Sequence, residues 1–224
     1  MELIAENLGK RYFRKTGSAN YFEAVHPVSF SLKPGRLTVL TGRSGSGKTT
    51  LLNLLAGLLT PDLGRVLADG QDLYAMDDPA LSRFRNRHIG VMPQGQTALQ
   101  ALTVLENVLL PVSLYGDPAK NVGRARELLL KLGLGELISA SPRSLSGGEL
   151  RRMSIARALI QEPEALLCDE PTGDLDDENT RLVLETLRDT AHSGVAVLLV
   201  THESDALAYA DAAWHMNAGT LEIA

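Results

Sequence analysis

Several things are scarce or missing in this 224-residue chain, and each absence excludes a class of protein. Cysteine occurs once, as Cys168, so no disulfide can form within the chain and the composition suits a reducing compartment. Basic residues are outnumbered: 22 Lys and Arg against 27 Asp and Glu leave a formal charge of −5. That balance lacks the basic footprint of a nucleic-acid binder and gives no attachment to anionic lipid by charge alone. No apolar run approaches the ~20 residues needed to cross a bilayer. The longest, VAVLLV at 195–200, has the length of a buried strand. The N-terminal MELIAENLGKRYF has no basic start followed by an apolar core, so no signal peptide is expected. A protein of this composition that works at a membrane needs another chain to supply the spans.

What is present is an ordinary globular composition, with length enough for one large domain and a sizeable core. No internal repeat or low-complexity tract occurs. Short strands are predicted around Leu3, Ile4 and Leu8, and around Val25, Val28, Phe30 and Leu32. PGR at 34–36 marks a turn into the apolar strand RLTVLTG at 36–42. TTLLNLLAGLL, 49–59, places leucine on nearly every side of a helix, so that helix is expected to be buried. TPDLG reads as a loop and GRVLADGQDL as a hairpin. From about 77 to 158 the segments ALSRFRNR, LTVLENVLLPV and NVGRARELLLKLGL read as helices broken by Pro and Gly, a helical subdomain inserted in an α/β core. The core resumes with the strand EALLCDE, the amphipathic helix ENTRLVLETLRDTAHSG and the strand VAVLLVTHE. Strands alternating with helices imply a mainly parallel sheet covered on both faces.

GRSGSGKTT, 42–50, fits the pattern G-x-x-x-x-G-K-[ST] between an apolar strand and a helix. Gly42, Gly45 and Gly47 let the backbone wrap around phosphates. The amides from Ser44 to Thr50 point inward, and the helix N-terminus adds positive potential. Lys48 brings a compact charge to the outer phosphates, and the Thr49 hydroxyl is a ligand for Mg²⁺. ALLCDE adds Asp169, at a strand end where it can hold Mg²⁺ through water, and Glu170, which can orient and polarise an attacking water. The bland readings are a ligand-free glycine turn and a pair of surface acids. His202 ends VAVLLVTH, and ligands of parallel sheets gather at the carboxyl ends of strands. There it can bond a γ-phosphate, although a lone histidine is usually structural. Gln94 in GVMPQG offers an amide oxygen to Mg²⁺. Cys168, inside an apolar strand, reads as a small buried hydrophobe.

LSGGELRR, opening at Leu145, is a second glycine turn before a helix, almost a hundred residues later. One nucleotide does not need both from one chain. Two copies paired head to tail would each offer Ser146, Gly147 and Gly148 to the γ-phosphate bound on the other. At this point the sequence resembles an ATP-binding cassette (ABC) ATPase subunit over essentially its whole length. GRSGSGKT, GVMPQ, LSGGE, ALLCDE, GDLD and VTH stand in the order of that family's six motifs.

The resemblance implies a P-loop α/β fold with a mainly parallel core sheet, an N-terminal antiparallel β-subdomain and an inserted α-helical subdomain. It implies ATP hydrolysis with Mg²⁺. Gly42, Arg43, Ser44, Gly45, Ser46, Gly47, Lys48, Thr49 and Thr50 would bind the phosphates, with Thr49, Gln94 and Asp169 around the metal. Glu170 would be the base, His202 the γ-phosphate sensor, and Asp176 would link the two sites. Tyr12 resembles the aromatic that stacks on adenine, with Tyr21 and Phe22 as alternatives and a core aromatic as the plain reading. The string ALTVLENVLLPVSLYG is similar to the macrolide-export, lipoprotein-release and cell-division subfamily. It implies a separate transmembrane permease subunit, an ATP-dependent homodimer or heterodimer, and a peripheral location on the cytoplasmic face of the membrane.

Two details depart from the commonest pattern. Leu150 follows SGGE where glutamine is frequent, with a changed contact near the ribose or base expected. Pro93 stiffens the glutamine loop, which Gly95 can offset. The alternatives are a soluble ABC ATPase acting on nucleic acid or ribosomes, which tight salt-sensitive binding would reveal, and a non-hydrolysing regulatory module, against which Glu170 and His202 stand.

Overall fold

The computed structural model describes residues 1–13, 21–95, 97–173 and 175–223. The chain opens with a small antiparallel sheet. β1 (Leu3–Phe13) lies between β2 (Tyr21–Leu32) and β4 (Leu63–Ala68), and β5 (Gln71–Asp72) completes the order β2-β1-β4-β5. Asp69 and Gly70, with φ of 46° and 85°, make the two-residue turn between β4 and β5, a connection that Asp-Gly favours.

The second sheet carries the site. Its order is β10-β9-β3-β8-β7-β6, from β3 (Leu37–Thr41), β6 (Ile89–Met92), β7 (Ala165–Asp169), β8 (Ala196–Val200), β9 (Ala212–Asn217) and β10 (Thr220–Ile223). All pairs are parallel except β9 with β10. β7 and β8 are buried at every position, because each face of the sheet has its own core. Leu166, Cys168, Val197 and Leu199 face one core with Val108, Leu129, Met153 and Leu187. Their alternating neighbours Ala165, Leu167, Leu198 and Val200 face another with Leu3, Leu51, Leu55 and Val66.

α1 (Lys48–Leu55) buries Leu51, Leu52, Leu54 and Leu55 but ends before the expected residue 59. Gly57 takes φ +66°. Its N–H reaches Leu54 O, and the Leu58 N–H reaches Asn53 O, which closes the helix with a left-handed glycine. Leu58 therefore lies beyond the helix and is 53% exposed, not buried as expected.

α2 (Asp78–His88), α3 (Val104–Tyr115), α4 (Val122–Lys131) and α5 (Gly147–Leu159) are the helices of the 77–158 stretch. That stretch is not wholly helical. β6 lies inside it, paired with β7 as a strand of the core sheet. Its run IGVM is too short for periodicity to separate a strand from a helical turn. α3, α4 and α5 share one apolar core with the sheet and with α6 (Asp177–His192). The β9–β10 hairpin adds two strands that the sequence pattern did not reveal.

Candidate functional site

β3 runs through Gly42 into the loop before α1. Gly42 has φ +151°, and a Cβ there would sit 2.3 Å from Met216 O; Gly47 has φ +107°, and a Cβ there would sit 2.1 Å from Ala24 O. Only glycine fits both places. Gly45 has φ +77° with open space around it. Lys48 is buried and curls back to donate from Nζ to Gly42 O at 2.7 Å and Arg43 O at 3.1 Å, which leaves one of its three protons for a ligand. α1 has neither a side-chain cap nor an acid in its first turn, whereas α2, α3, α5 and α6 are each capped by a side chain. Ser46 Oγ is the one buried side-chain polar atom without a partner among the described residues. An open helix N-terminus and a poised ammonium fit a polyphosphate.

The acids end β7. Asp169 Oδ2 accepts from Thr49 Oγ1 at 2.6 Å, so the two oxygens meant for a cation are already together. Burial, opposed by that bond, raises the Asp169 carboxyl above its ordinary range; a cation in the site would favour the ionised form. Among the described residues no three His, Cys, Asp or Glu side chains cluster as a metal site. Mg²⁺ held by a hydroxyl, an amide, one carboxylate, water and phosphate oxygens needs no such cluster. Glu170 takes φ +50°, a left-handed conformation that costs a non-glycine residue about 1–2 kcal/mol. Its N–H donates to Val200 O at 2.8 Å, and its carboxylate accepts from Thr201 Oγ1 at 3.3 Å and pairs with His202 Nδ1 at 2.9 Å. The Glu170 hydrogen bond holds the exposed His202 imidazole above its usual pKa. Cys168 is fully buried, its thiol pushed up to about 12 by desolvation, which suits an inert core residue.

These groups line one cleft of about 980 Å³. Tyr12, Arg43, Ser44, Gly45, Gly47, Lys48, Thr49, Thr50, Gln94, Asp169, Glu170 and His202 all face it. Gly42 and Ser46 stand behind the loop as its backbone supports. Tyr12 and Phe22 are direct cross-strand partners at the cleft mouth, 41% and 39% exposed. Lys10 Nζ stands 5.9 Å from the Tyr12 ring centroid. Tyr21 does not line the cleft and packs edge-on against Phe13. Gly95 takes φ +89° beside Pro93, a pivot open to glycine. Asp174 of GDLD, and Gln96 after the glutamine loop, lie outside the described residues.

Ser146, Gly147, Gly148 and Asp176 do not line this cleft. Ser146 and Gly147 are exposed, held up by buried Leu145 and Leu150. Leu150 belongs to the core; helical spacing turns it inward with Met153. The turn is also less open than its glycines suggest. Ser146 N–H and Oγ–H both donate to the Glu149 carboxylate, at 2.7 and 2.9 Å, and Ser146 Oγ accepts from the Glu149 N–H. This capping box was legible as S-x-x-E and was overlooked. Asp176 caps α6 by accepting from the Asn179 N–H at 2.8 Å.

Four cleft residues escaped the sequence reading: Ala24, Arg151, Gly173 and Glu203. Glu203 accepts from Thr172 Oγ1 at 2.5 Å and so ties the loop of His202 to the segment after Glu170. Its signal was adjacency to His202. Arg151 sits one helical turn after Gly147, on the helix that the signature opens.

Residues 25–173 match the family model described as ABC transporter. An ABC transporter ATP-binding protein of Thermotoga maritima is 44% identical over 80% of this chain and 77% of its own length. The lipoprotein-releasing system ATP-binding protein LolD of Aquifex aeolicus is 40% identical over 82% and 83%. The dimeric structure of MJ0796, a bacterial ABC transporter cassette, superposes with a TM-score of 0.90 at 30% identity, covering 99% of this chain and 98% of that one. The same cassette bound to ADP and Pi after hydrolysis superposes at 0.88, with 29% identity and the same coverage. The chain belongs to the ABC transporter family, as an ATP-binding cassette with the fold, the cleft and the activity of an ATPase.

Proposed function

We propose that two copies of this chain, or this chain and a related ATPase, close head to tail around two Mg-ATP and drive a separate transmembrane subunit. The observation that carries this reading is the place of the signature. Ser146 and Gly147 are exposed and outside the chain's own cleft, although that cleft holds the phosphate loop, Gln94, the acids that end β7 and His202. Gly147 has an ordinary φ, and a Cβ there would touch nothing within 4 Å. Nothing in the single chain requires glycine at this position, so its smallness suits something that approaches from outside.

Within the paired site the residues divide the work. Mg²⁺, when bound, neutralises charge on the outer phosphate oxygens. Thr49, Asp169 and Gln94 are the groups to hold it. Lys48 and the loop amides bind the phosphates, and Tyr12 with Phe22 forms the base platform. Glu170 Oε2 is the acceptor for a water proton, and His202 is placed to hold the γ-phosphate edge once it parts from Glu170. Asp176 stands at the exposed end of the segment after Glu170, where it can face a second copy.

A groove of about 280 Å³ between α2, β6, α3 and α5 suits a segment of the membrane subunit. It is lined by Leu58, Arg85, Leu110, Pro111, Leu114 and Arg157 among others. Arg157 donates to both the carbonyl and the hydroxyl of Thr97, so a wall of the groove is tied to the segment that follows Gln94. A partner seated there moves Gln94, with the helices of the 77–158 stretch acting as the lever. No helix among the described residues is long and apolar enough to cross a membrane. We place the protein on the cytoplasmic face through this partner, in a transporter or mechanotransmission complex like those of the lipoprotein-releasing relatives.

Light scattering of Glu170→Gln tests the pairing. Mg-ATP should shift it from monomer to dimer, with no shift when nucleotide is absent. A Glu170→Gln chain that binds Mg-ATP and stays monomeric alone, with the related ATPase and with the membrane subunit refutes the ATP-bridged pair.

A further inference from the structure

Two consecutive arginines follow the signature on α5; Arg151 leaves the helix for the segment 170–176, and Arg152 for Leu132 and for Asn179 on α6. Arg151 Nη1 donates to the main-chain carbonyl of Glu170 at 2.5 Å. Its guanidinium also covers Gly173, where a Cβ would stand 3.1 Å from Nη2. Arg152 is buried and donates to Leu132 O at 3.0 Å and to Asn179 Oδ1 at 2.5 Å. Asn179 Nδ2 in turn donates to both carboxylate oxygens of Asp176 at 2.8 Å. Gly148 packs against the far part of the segment, since a Cβ there would stand 2.8 Å from Leu175 Cδ2. The helix that presents Ser146 and Gly147 outward therefore holds Glu170 and covers Gly173 through Arg151, packs on Leu175 at Gly148, and reaches Asp176 by way of Asn179.

Glu170 has need of such a grip. Its left-handed backbone persists only where the surroundings over-determine it. Its N–H and carboxylate are anchored by β8 and by Thr201 and His202 just beyond. Its carbonyl is anchored by Arg151, from a different element. A guanidinium–carbonyl bond is charge-assisted and directional, so a rotation of α5 is felt by the Glu170 peptide.

We propose that Arg151 is a positioning residue that fixes the main chain of Glu170 to the signature helix. Seating of that helix on the nucleotide of a second copy then sets where the Glu170 carboxylate stands in its own cleft. The inference rests on the ATP-bridged pair proposed above, and it makes each site responsive to occupancy of the other. Arg151 acts through geometry: its bond goes to the main chain, and no proton passes through it.

The test compares Arg151→Ala and Arg151→Gln with the wild type in ATPase assays. Light scattering with Mg-ATP then compares Glu170→Gln with Arg151→Ala/Glu170→Gln. Arg151→Ala should lower kcat about ten- to a hundredfold, as expected for a small displacement of a catalytic group. KM should stay within about threefold, because the Arg151 bond goes to the Glu170 main chain and not to the phosphate loop or the base platform, although Arg151 stands in the cleft wall. The double variant should dimerise as Glu170→Gln does. Arg151→Gln, which keeps a long side chain with a neutral donor, should recover part of the loss, and it carries the kinetic test if the alanine variant unfolds. Wild-type kcat in the folded variants overturns the proposal. So does a fall in kcat matched by an equal loss of dimer, which would make Arg151 an assembly residue. If Glu170→Gln itself never dimerises while Arg151→Ala still loses kcat, the paired reading fails and the transmission between sites fails with it, leaving a bond that acts inside one chain.

Discussion

Gly147 and Gly47 open similar-looking turns, and substitution by alanine separates their physics. At Gly147 the backbone is ordinary and a methyl group meets nothing within 4 Å. It is also the first residue of α5, where alanine is the better helix former. Gly147→Ala should therefore leave stability unchanged or raise it by up to about 1 kcal/mol. In a chain of this size that is a rise in Tm of roughly 0–4 °C. At Gly47 the same methyl meets Ala24 O at 2.1 Å on a φ of +107°. Neither the carbonyl of β2 nor the loop can yield cheaply, so Gly47→Ala should cost at least about 3 kcal/mol. That corresponds to a Tm fall of roughly 6–12 °C. Calorimetry measures the stabilities, titration with a fluorescent ATP analogue measures binding, and steady-state assay measures turnover. Gly147→Ala should bind the analogue as the wild type does and yet lose at least about tenfold in ATPase, since its methyl intrudes where a partner's nucleotide must approach. Gly47→Ala should lose binding and stability together. Wild-type ATPase in Gly147→Ala would falsify the view that this glycine faces a second copy.

Two other expectations come from the same cleft. His202 faces Glu170 and Glu203, which raise its pKa, and Lys48, which lowers it. Because the folded value is raised, the stabilisation from its pair with Glu170 is complete below the ordinary histidine range and disappears as pH rises through the raised value. An NMR titration should find the His202 imidazole above the ordinary histidine value, and Glu170→Gln should bring it down; the same midpoint in both proteins means the pair carries no charge. Tyr12→Ala should raise KM for ATP about tenfold, from the lost stacking, with kcat little changed. Tyr21→Ala should leave KM alone, and an equal effect from it would move the base platform to the other face of the hairpin.

The parts of the site legible in the sequence were those written in one short stretch. The phosphate loop is contiguous and its spacing is a motif, even though its glycines are demanded by distant carbonyls, Met216 O at Gly42 and Ala24 O at Gly47. Asp169, Glu170 and His202 were placed by the rule that strand ends collect ligands, because β7 and β8 are continuous apolar runs. Harder to read were features whose cause lies elsewhere in the chain. Arg151 looks like any surface arginine until Glu170 O is brought to it across 19 positions. IGVM becomes a strand only because β7 offers it a free edge, and α1 ends early because Gly57 can turn left-handed. The choice among Tyr12, Tyr21 and Phe22 depended on hairpin register, which places Tyr12 beside Phe22 on the cleft side and pairs Phe13 with Tyr21.

The two glycine turns end up under opposite regimes, which answers why one chain carries both. The N-terminus of α1 is left open, with no cap and no acid, and its nearest side-chain cation already points into the loop. The N-terminus of α5 is shut: Ser146 gives both its protons to Glu149, and those bonds hold the Glu149 carboxyl below its ordinary range. A phosphate can enter the first site at once. To use the Ser146 donors of the second it must take them from a carboxylate and tolerate that negative charge nearby, a cost that only further contacts can offset. Those contacts are available only where a second chain brings its own loop, lysine and Mg²⁺ with the nucleotide. The first turn is built to hold a nucleotide alone; the second is built to respond when another chain presents one.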